Sequence, residues 1–170
     1  MIKKSIWDEQ GLINTLKNGG VAVMPTDTLY GIVARAQDQK AVERIYKIKK
    51  RSPDKKLIVL ISSWNDTKKF DINASKFKIP KTDVPTSFIL NDVAFRLPES
   101  EDLRKLLKVT GPLVAPSANL ENEPPAKNIF EAKKYFGDLI DLYIDGGEIF
   151  GLASKVIKLH NDGSVDILRE

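Results

Sequence analysis

Apolar residues recur at helical spacing over residues 8–18, where Leu12, Ile13 and Leu16 share one side, and the pattern stops at Gly19 and Gly20. Glycine suits the left-handed position that closes a helix, so a first helix is predicted to end there. Residues 21–24 read as a short strand broken by Pro25. Residues 39–49 set Ala41, Val42, Ile45, Tyr46 and Ile48 on a second helical stripe. The run 57–61 is solidly aliphatic and too short for a helix, which predicts a central strand buried on both faces. Residues 62–84 are Lys-rich with scattered aromatics and read as a short helix followed by irregular connection. Strands are predicted at 87–90 and 93–96, with Asn91 and Asp92 between them as a tight hairpin turn. A helix at 101–108, a strand at 113–115 and a helix at 126–136 ending at Gly137 follow. Strands at 142–144, 155–160 and 165–168 complete the set, the last two joined across Asp162 and Gly163.

Because strands interleave with helices and also with hairpins, the predicted sheet is mixed rather than purely parallel. No composition break and no internal repeat divides the chain, so residues 1–170 read as one domain. A composition of 42% hydrophobic and 29% charged residues is that of an ordinary globular protein. The net charge of +4 is modest but unevenly spread: residues 35–56 hold nine Lys or Arg against three acids, a local +6, leaving the rest at −2. Such a patch suits a nucleoside triphosphate, RNA or an acidic partner, and charge alone does not choose among them. The absence of cysteine removes disulfides, thiolate nucleophiles and thiolate metal sites. With His160 as the one histidine, a histidine-based metal centre or a Ser/His/Asp triad is not expected either. Residues 1–7 lack an apolar signal-peptide core, and no aliphatic run approaches membrane-spanning length, so the cytoplasm is the expected location.

Three segments carry unusual chemistry. In PTDTLYG, from Pro25 to Gly31, Thr26, Asp27, Thr28 and Tyr30 crowd hydroxyls and one carboxylate into a turn. It could hold a small molecule, or its hydroxyls could bond only their own backbone. In KIKKR, Lys49 and Arg51 would face different sides of a continuous helix, but Pro53 disfavours helix at Ser52. The helix is therefore expected to end near Lys50, with Arg51 turning back toward Lys49. A plain preference for cations at a helix C-terminus is the alternative reading. In APSAN, a strand ends at Pro116, and Ser117 and Asn119 flank the small Ala118. Alternate residues face one side if the backbone stays extended, and a local Ser or Asx turn is the alternative. All three segments adjoin apolar runs, so they would deliver hydroxyls and cations to one sheet edge, an arrangement suited to a phosphate-bearing ligand.

Taken in order, GGVAVMPTDTLYG, IKKRSPDKKLIVLI, AFRLP, GPLVAPSANLENEPP, DGGEIFGLASKVIKL and the terminal ILRE resemble the YrdC-like threonylcarbamoyl-AMP synthases over nearly the whole chain. The resemblance implies an α+β, three-layer fold, with a twisted mixed sheet flanked by helices around a concave central cavity. It implies an L-threonylcarbamoyladenylate synthase, a nucleotidyltransferase that joins L-threonine, bicarbonate and ATP into threonylcarbamoyl-AMP and pyrophosphate. The product would serve N6-threonylcarbamoyladenosine formation in tRNA, through a tRNA threonylcarbamoyl transferase machinery. Lys49 and Arg51 match the family's Lys-x-Arg pair and Ser117 and Asn119 its Ser-x-Asn pair, which with Arg169 are implied to line the ATP site. Thr26, Tyr30, Arg96 and Ser154 occupy places implied to contact threonine. No protein nucleophile is needed. Lys49 and Arg51 would act electrostatically, Mg²⁺ would accompany ATP, and no protein-held metal is expected.

The chain also departs from the family pattern. Val84, Pro85, Thr86 and Ser87 stand where a Pro-Gly-Pro-x-Thr stretch is usual, Glu121 and Asn122 replace a Ser-Gly, and Ala153, Ser154 and Lys155 replace Glu-Ser-Thr. Ending at Glu170, it resembles the family's short form. The other function class in view is an RNA- or ribosome-binding protein without adenylate-forming activity, contacting tRNA or double-stranded RNA through the basic segment.

Overall fold

The computed structural model describes residues 5–170; residues 1–4, part of the stretch read for a signal sequence, lie outside the described residues. The strands are β1 (Ala22–Pro25), β2 (Tyr30–Arg35), β3 (Ile58–Leu60), β4 (Thr86–Leu90), β5 (Val93–Arg96), β6 (Leu113–Val114), β7 (Leu142–Tyr143), β8 (Lys155–Leu159) and β9 (Val165–Arg169). They form one sheet in the order β7-β1-β2-β6-β3-β5-β4-β8-β9. The pairs β1–β7, β3–β5 and β4–β8 are parallel and the others antiparallel, so the sheet is mixed as predicted.

Helices α1 (Gln10–Lys17), α2 (Gln39–Lys49), α3 (Glu101–Thr110) and α4 (Ile129–Phe136) cover the two faces. Alternation along the strands divides the core. Ala22, Met24, Val33 and Leu60 pack with α1 and α3, whereas Val23, Ile32, Val59 and Phe95 pack with α2 and α4. The result is a three-layer α+β arrangement. The layer of α1 and α3 is incomplete: its apolar cluster draws on β1, β2, β3 and β6 and, among the described residues, takes nothing from β4, β5 or β8. Half of that sheet face is thus left without a helix, and the cavity lies there.

Several local expectations hold for identifiable reasons. Helix α2 spans the predicted residues because the Asp38 carboxylate accepts from Ala41 N at 3.1 Å at its start, and Lys50, at φ 52°, turns left-handed at its end. Asn91 takes φ 52° in the β4–β5 turn. Others shift. Helix α4 begins at Ile129 rather than 126, since the Asn128 side chain accepts from Glu131 N and caps it there. The stretch 62–84 holds 3₁₀ turns at Trp64–Phe70 and Ala74–Lys76. Pro25 ends β1 as expected, opposite Tyr30. Strand β2 was not anticipated, because the turn before it is so short that Tyr30, read as a turn residue, already belongs to the returning strand.

Candidate functional site

A cavity of about 230 Å³ opens on the uncovered half of the sheet. Its apolar floor includes Ile58, Ile89, Ala94 and Val156 from β3, β4, β5 and β8. Around that floor stand Thr26, Thr28, Arg51, Lys56, Arg96, Ser117, Ser154 and Arg169. Residues from all three segments of unusual chemistry therefore meet at one hollow.

Lys49 is not among the lining residues. It is 1% exposed, and its ammonium donates to Ser117 O at 2.5 Å, Asn119 O at 2.6 Å and Asn119 Oδ1 at 3.3 Å. These three acceptors use all three ammonium donors. Burial and, after it, the nearby Arg51 lower its pKa to about 8. The Asn119 side chain also turns inward: Nδ2 donates to Leu120 O and Glu123 O, and Oδ1 accepts from Ser117 Oγ at 2.6 Å. Lys49 and Asn119, expected at the ligand, here turn their polar groups to the loop that presents Ser117 and lock it. This local turn is the alternative weighed for APSAN. Ser117 itself lines the cavity, and its backbone bridges to Gly31 of β2.

Arg51 does reach the cavity. The left-handed Lys50 redirects the chain, and Arg51 Nε and Nη2 donate to Lys55 O and Lys56 O, both at 3.2 Å. Arg51 Nη1 meets Glu121 Oε2 at 3.0 Å, while Glu121 Oε1 holds the Lys55 ammonium.

On the opposite wall, Arg96 is 3% exposed. Its Nη2 donates to Asp27 Oδ1 at 2.9 Å, and its buried Nε has no partner among the described residues. A buried guanidinium nitrogen without an acceptor costs free energy unless a ligand supplies one. Beside it, Arg169 Nε donates to Ser154 O at 2.8 Å, and its Nη2 to Ser154 Oγ at 3.3 Å. Ser154 Oγ also lies 2.8 Å from Ser87 Oγ, both fully enclosed. Burial, and then the proximity of Arg96, lower the pKa of Arg169. Two guanidinium groups thus stand near one another on the cavity wall, and Asp27, behind that wall, pairs with Arg96.

Two threonine-side expectations change. Thr26 Oγ1 donates to Leu29 O at 2.7 Å and accepts from the backbone N–H of Thr28 and Leu29, so its hydroxyl caps its own turn. Thr28 Oγ1 bonds only Thr26 Oγ1 among the described residues, which leaves it the freer hydroxyl of that loop. Tyr30 is buried; its hydroxyl donates to Gly147 O at 2.7 Å and accepts from Gly146 N at 2.9 Å. Tyr30 therefore pins the segment after β7 rather than offering its hydroxyl to a ligand. Asp27, Thr28, Ser87 and Glu121 also stand in or beside the site, although the sequence assigns none of them an individual ligand contact. Asp27 was visible as the one acid in a hydroxyl-rich turn, and Glu121 as a departure from the family pattern.

No cluster of three or more potential metal-ligating side chains occurs among the described residues, and no carboxylate lines the cavity. The donor set does not fit a resident metal ion. No helix among the described residues is long and apolar enough to cross a membrane.

A family model designated Sua5_yciO_yrdC and described as "Telomere recombination" matches residues 14–170. A threonylcarbamoyl-AMP synthase of Pyrococcus abyssi is 32% identical over 164 residues, covering 85% of this chain and 48% of that protein. A threonylcarbamoyl-AMP synthase of Pseudomonas fluorescens strain Pf0-1 is 28% identical over 161 residues, covering 82% of this chain and 85% of that protein. The crystal structure of P. abyssi Sua5 complexed with L-threonine is similar with a TM-score of 0.75 at 28% identity, over 92% of this chain and 52% of that one. This chain thus spans about half the length of the P. abyssi proteins it matches.

Proposed function

Since this chain belongs to the Sua5/YciO/YrdC family, we propose that it is an L-threonylcarbamoyladenylate synthase, converting L-threonine, bicarbonate and ATP into threonylcarbamoyl-AMP and pyrophosphate. The observation that carries this reading is Arg96, a buried guanidinium in the cavity wall with one nitrogen unpartnered, on the same hollow as Arg51, Arg169 and Ser117. It is a receptor for a small carboxylate placed beside a receptor for phosphates. The P. abyssi protein in complex with L-threonine supports the same assignment.

The chemistry suits a site with so few reactive groups. The neutral threonine amine forms an N–C bond with the carbon dioxide derived from bicarbonate, the displaced amine proton and the hydroxide lost by bicarbonate leave together as water, and a carbamate results. A carbamate oxygen then attacks the α-phosphorus, the bond to the β-phosphate breaks, and pyrophosphate departs with its electron pair. Positioning and fixed positive charge supply the catalysis, with no protein nucleophile. Arg96, oriented by Asp27, would take the threonine carboxylate; Arg51, Arg169 and Ser117 would face the nucleotide. Lys49 and Asn119 would hold the Ser117 loop in place. Mg²⁺ would arrive bound to ATP as part of the substrate, held by phosphate oxygens. The apolar floor would keep water from the carbamate and the mixed anhydride. The product would pass, in the cytoplasm, to a tRNA threonylcarbamoyl transferase machinery. The rival RNA-contact reading is weakened because Arg44 is bonded to Asp141, and Arg51 and Lys55 to Glu121, so three of the nine cations in residues 35–56 are compensated internally.

Pyrophosphate release is expected only when ATP, L-threonine and bicarbonate are all present. Arg96→Lys should weaken threonine binding about tenfold or more while changing ATP binding less than about twofold, because an ammonium lacks the planar fork. Release that ignores threonine, or equal weakening of both ligands in calorimetric titration, would overturn the reading.

A further inference from the structure

Glu121 is held between two cations at the rim of the cavity. Its Oε2 accepts from Arg51 Nη1 at 3.0 Å and its Oε1 holds Lys55 Nζ, while its backbone N–H donates to Lys49 O at 3.0 Å and fixes it to the end of α2. The carboxylate is 18% exposed, Arg51 24% and Lys55 54%, so the cluster forms a half-open rim rather than a sealed core. Arg51 and Lys56 line the cavity, whereas Glu121 and Lys55 stand just outside it. At about 230 Å³ the cavity is smaller than the roughly 300–1,000 Å³ usual for sites that enclose a drug-sized ligand. A bound nucleoside triphosphate must therefore extend to this rim.

Phosphate and carboxylate compete for the same guanidinium geometry. A phosphate cannot join Arg51 and Lys55 while Glu121 remains between them, because two adjacent anions repel. We infer that Glu121 is an internal anion occupying a polyphosphate subsite, so that Arg51 and Lys55 are released only to a ligand with enough negative charge to displace the carboxylate. The inference rests on the nucleotide reading of this cavity and deepens it. A triphosphate exchanges for Glu121, a monophosphate does not, and the carboxylate returns to both cations when pyrophosphate leaves. Glu121 is thus a specificity-determining residue for the phosphate chain, acting against the ligand rather than toward it.

The test is calorimetric titration of the whole chain with inorganic tripolyphosphate, MgATP and AMP, comparing wild type, Glu121→Gln and the nearby control Glu123→Gln. Glu121→Gln should bind tripolyphosphate and MgATP about 3- to 10-fold more tightly and AMP within about twofold of wild type, the range expected when one competing charge is removed. Glu123→Gln should match wild type for all three. Unchanged or weaker tripolyphosphate binding by Glu121→Gln would overturn the inference and make Glu121 a support for Arg51. Wild type that binds tripolyphosphate but shows no threonine-dependent pyrophosphate release would instead sink the synthase reading and leave the subsite standing. Should Glu121→Gln not fold, the side-chain carboxylate ¹³C signal of Glu121 in labelled wild type gives the same answer. It should move on adding tripolyphosphate and not AMP, and a signal unmoved by tripolyphosphate overturns the inference.

Discussion

Lys49 carries a charge in almost complete burial, and backbone and amide carbonyls rather than a carboxylate surround its ammonium. Burial, with Arg51 nearby, lowers its pKa from an ordinary 10.5 to about 8. Between those two values the unfolded chain holds a proton that the folded chain has lost, so this group's contribution to stability rises with pH across the interval. Wild type should therefore gain about 2 kcal/mol between pH 8 and pH 10 relative to Lys49→Met, since each unit of differential protonation is worth about 1.4 kcal/mol. Urea unfolding midpoints of both proteins over that range check this, and parallel profiles would contradict it. At this scale the sequence was only partly legible. The pairs Lys49 with Arg51 and Ser117 with Asn119 could be recognised, but not which member of each would turn inward. That choice belongs to the left-handed Lys50 and to the carbonyls that Ser117 and Asn119 present to Lys49, neither of which spacing records.

The elements that frame the cavity differ in how they are held. Strands β3, β5 and β6 are fixed by continuous pairing, while the irregular segment 145–154 between β7 and β8 carries exposed Phe150 and Leu152. Its attachment runs through Tyr30, whose hydroxyl joins Gly146 and Gly147, and through Gly151, where a Cβ would overlap the Thr28 carbonyl oxygen. Tyr30→Phe keeps the ring in the core but leaves that N–H and carbonyl without the hydroxyl. It should lower stability by about 0.5–1.5 kcal/mol, the net worth of an ordinary hydrogen bond, because Gly146 and Gly147 are exposed and water can take the place of the hydroxyl. Limited proteolysis should find faster cleavage within 145–154, and an unchanged pattern would show that the segment is held by other means. Helix α2 and the β4–β5 hairpin could be placed from sequence because local signals at Asp38, Asn91 and the apolar stripe agree with the final packing. Strand β2 could not, because the turn before it is so tight that Tyr30 reads as part of the loop, and only pairing with β1 and β6 reveals it.

The hollow exists because α1 and α3 cover only one half of a sheet face, a property of the whole molecule that no single stretch of sequence expresses. Into that gap project Arg96 and Arg169, close enough for the first to lower the pKa of the second, with Asp27 paired to Arg96. Arg169 and Ser87 both bond Ser154, and Ser154 belongs to the same 145–154 segment that touches Thr28 on the opposite lip. A carboxylate on Arg96 and a nucleotide against Arg169 would therefore both draw on that segment's position. If the first ligand fixes that segment, the second would bind to a site already arranged. Each ligand alone at about 100-fold its dissociation constant stabilises the folded state by about 2.7 kcal/mol, and a domain of this size shifts its melting temperature by about 2–4 °C per kcal/mol. Threonine and MgATP together should raise the melting temperature by more than the sum of their separate effects. A simple sum, measured in a thermal-shift titration across both concentrations, would mean that the two ligands occupy independent places, and less than a sum that they compete; either would contradict coupling through the shared segment.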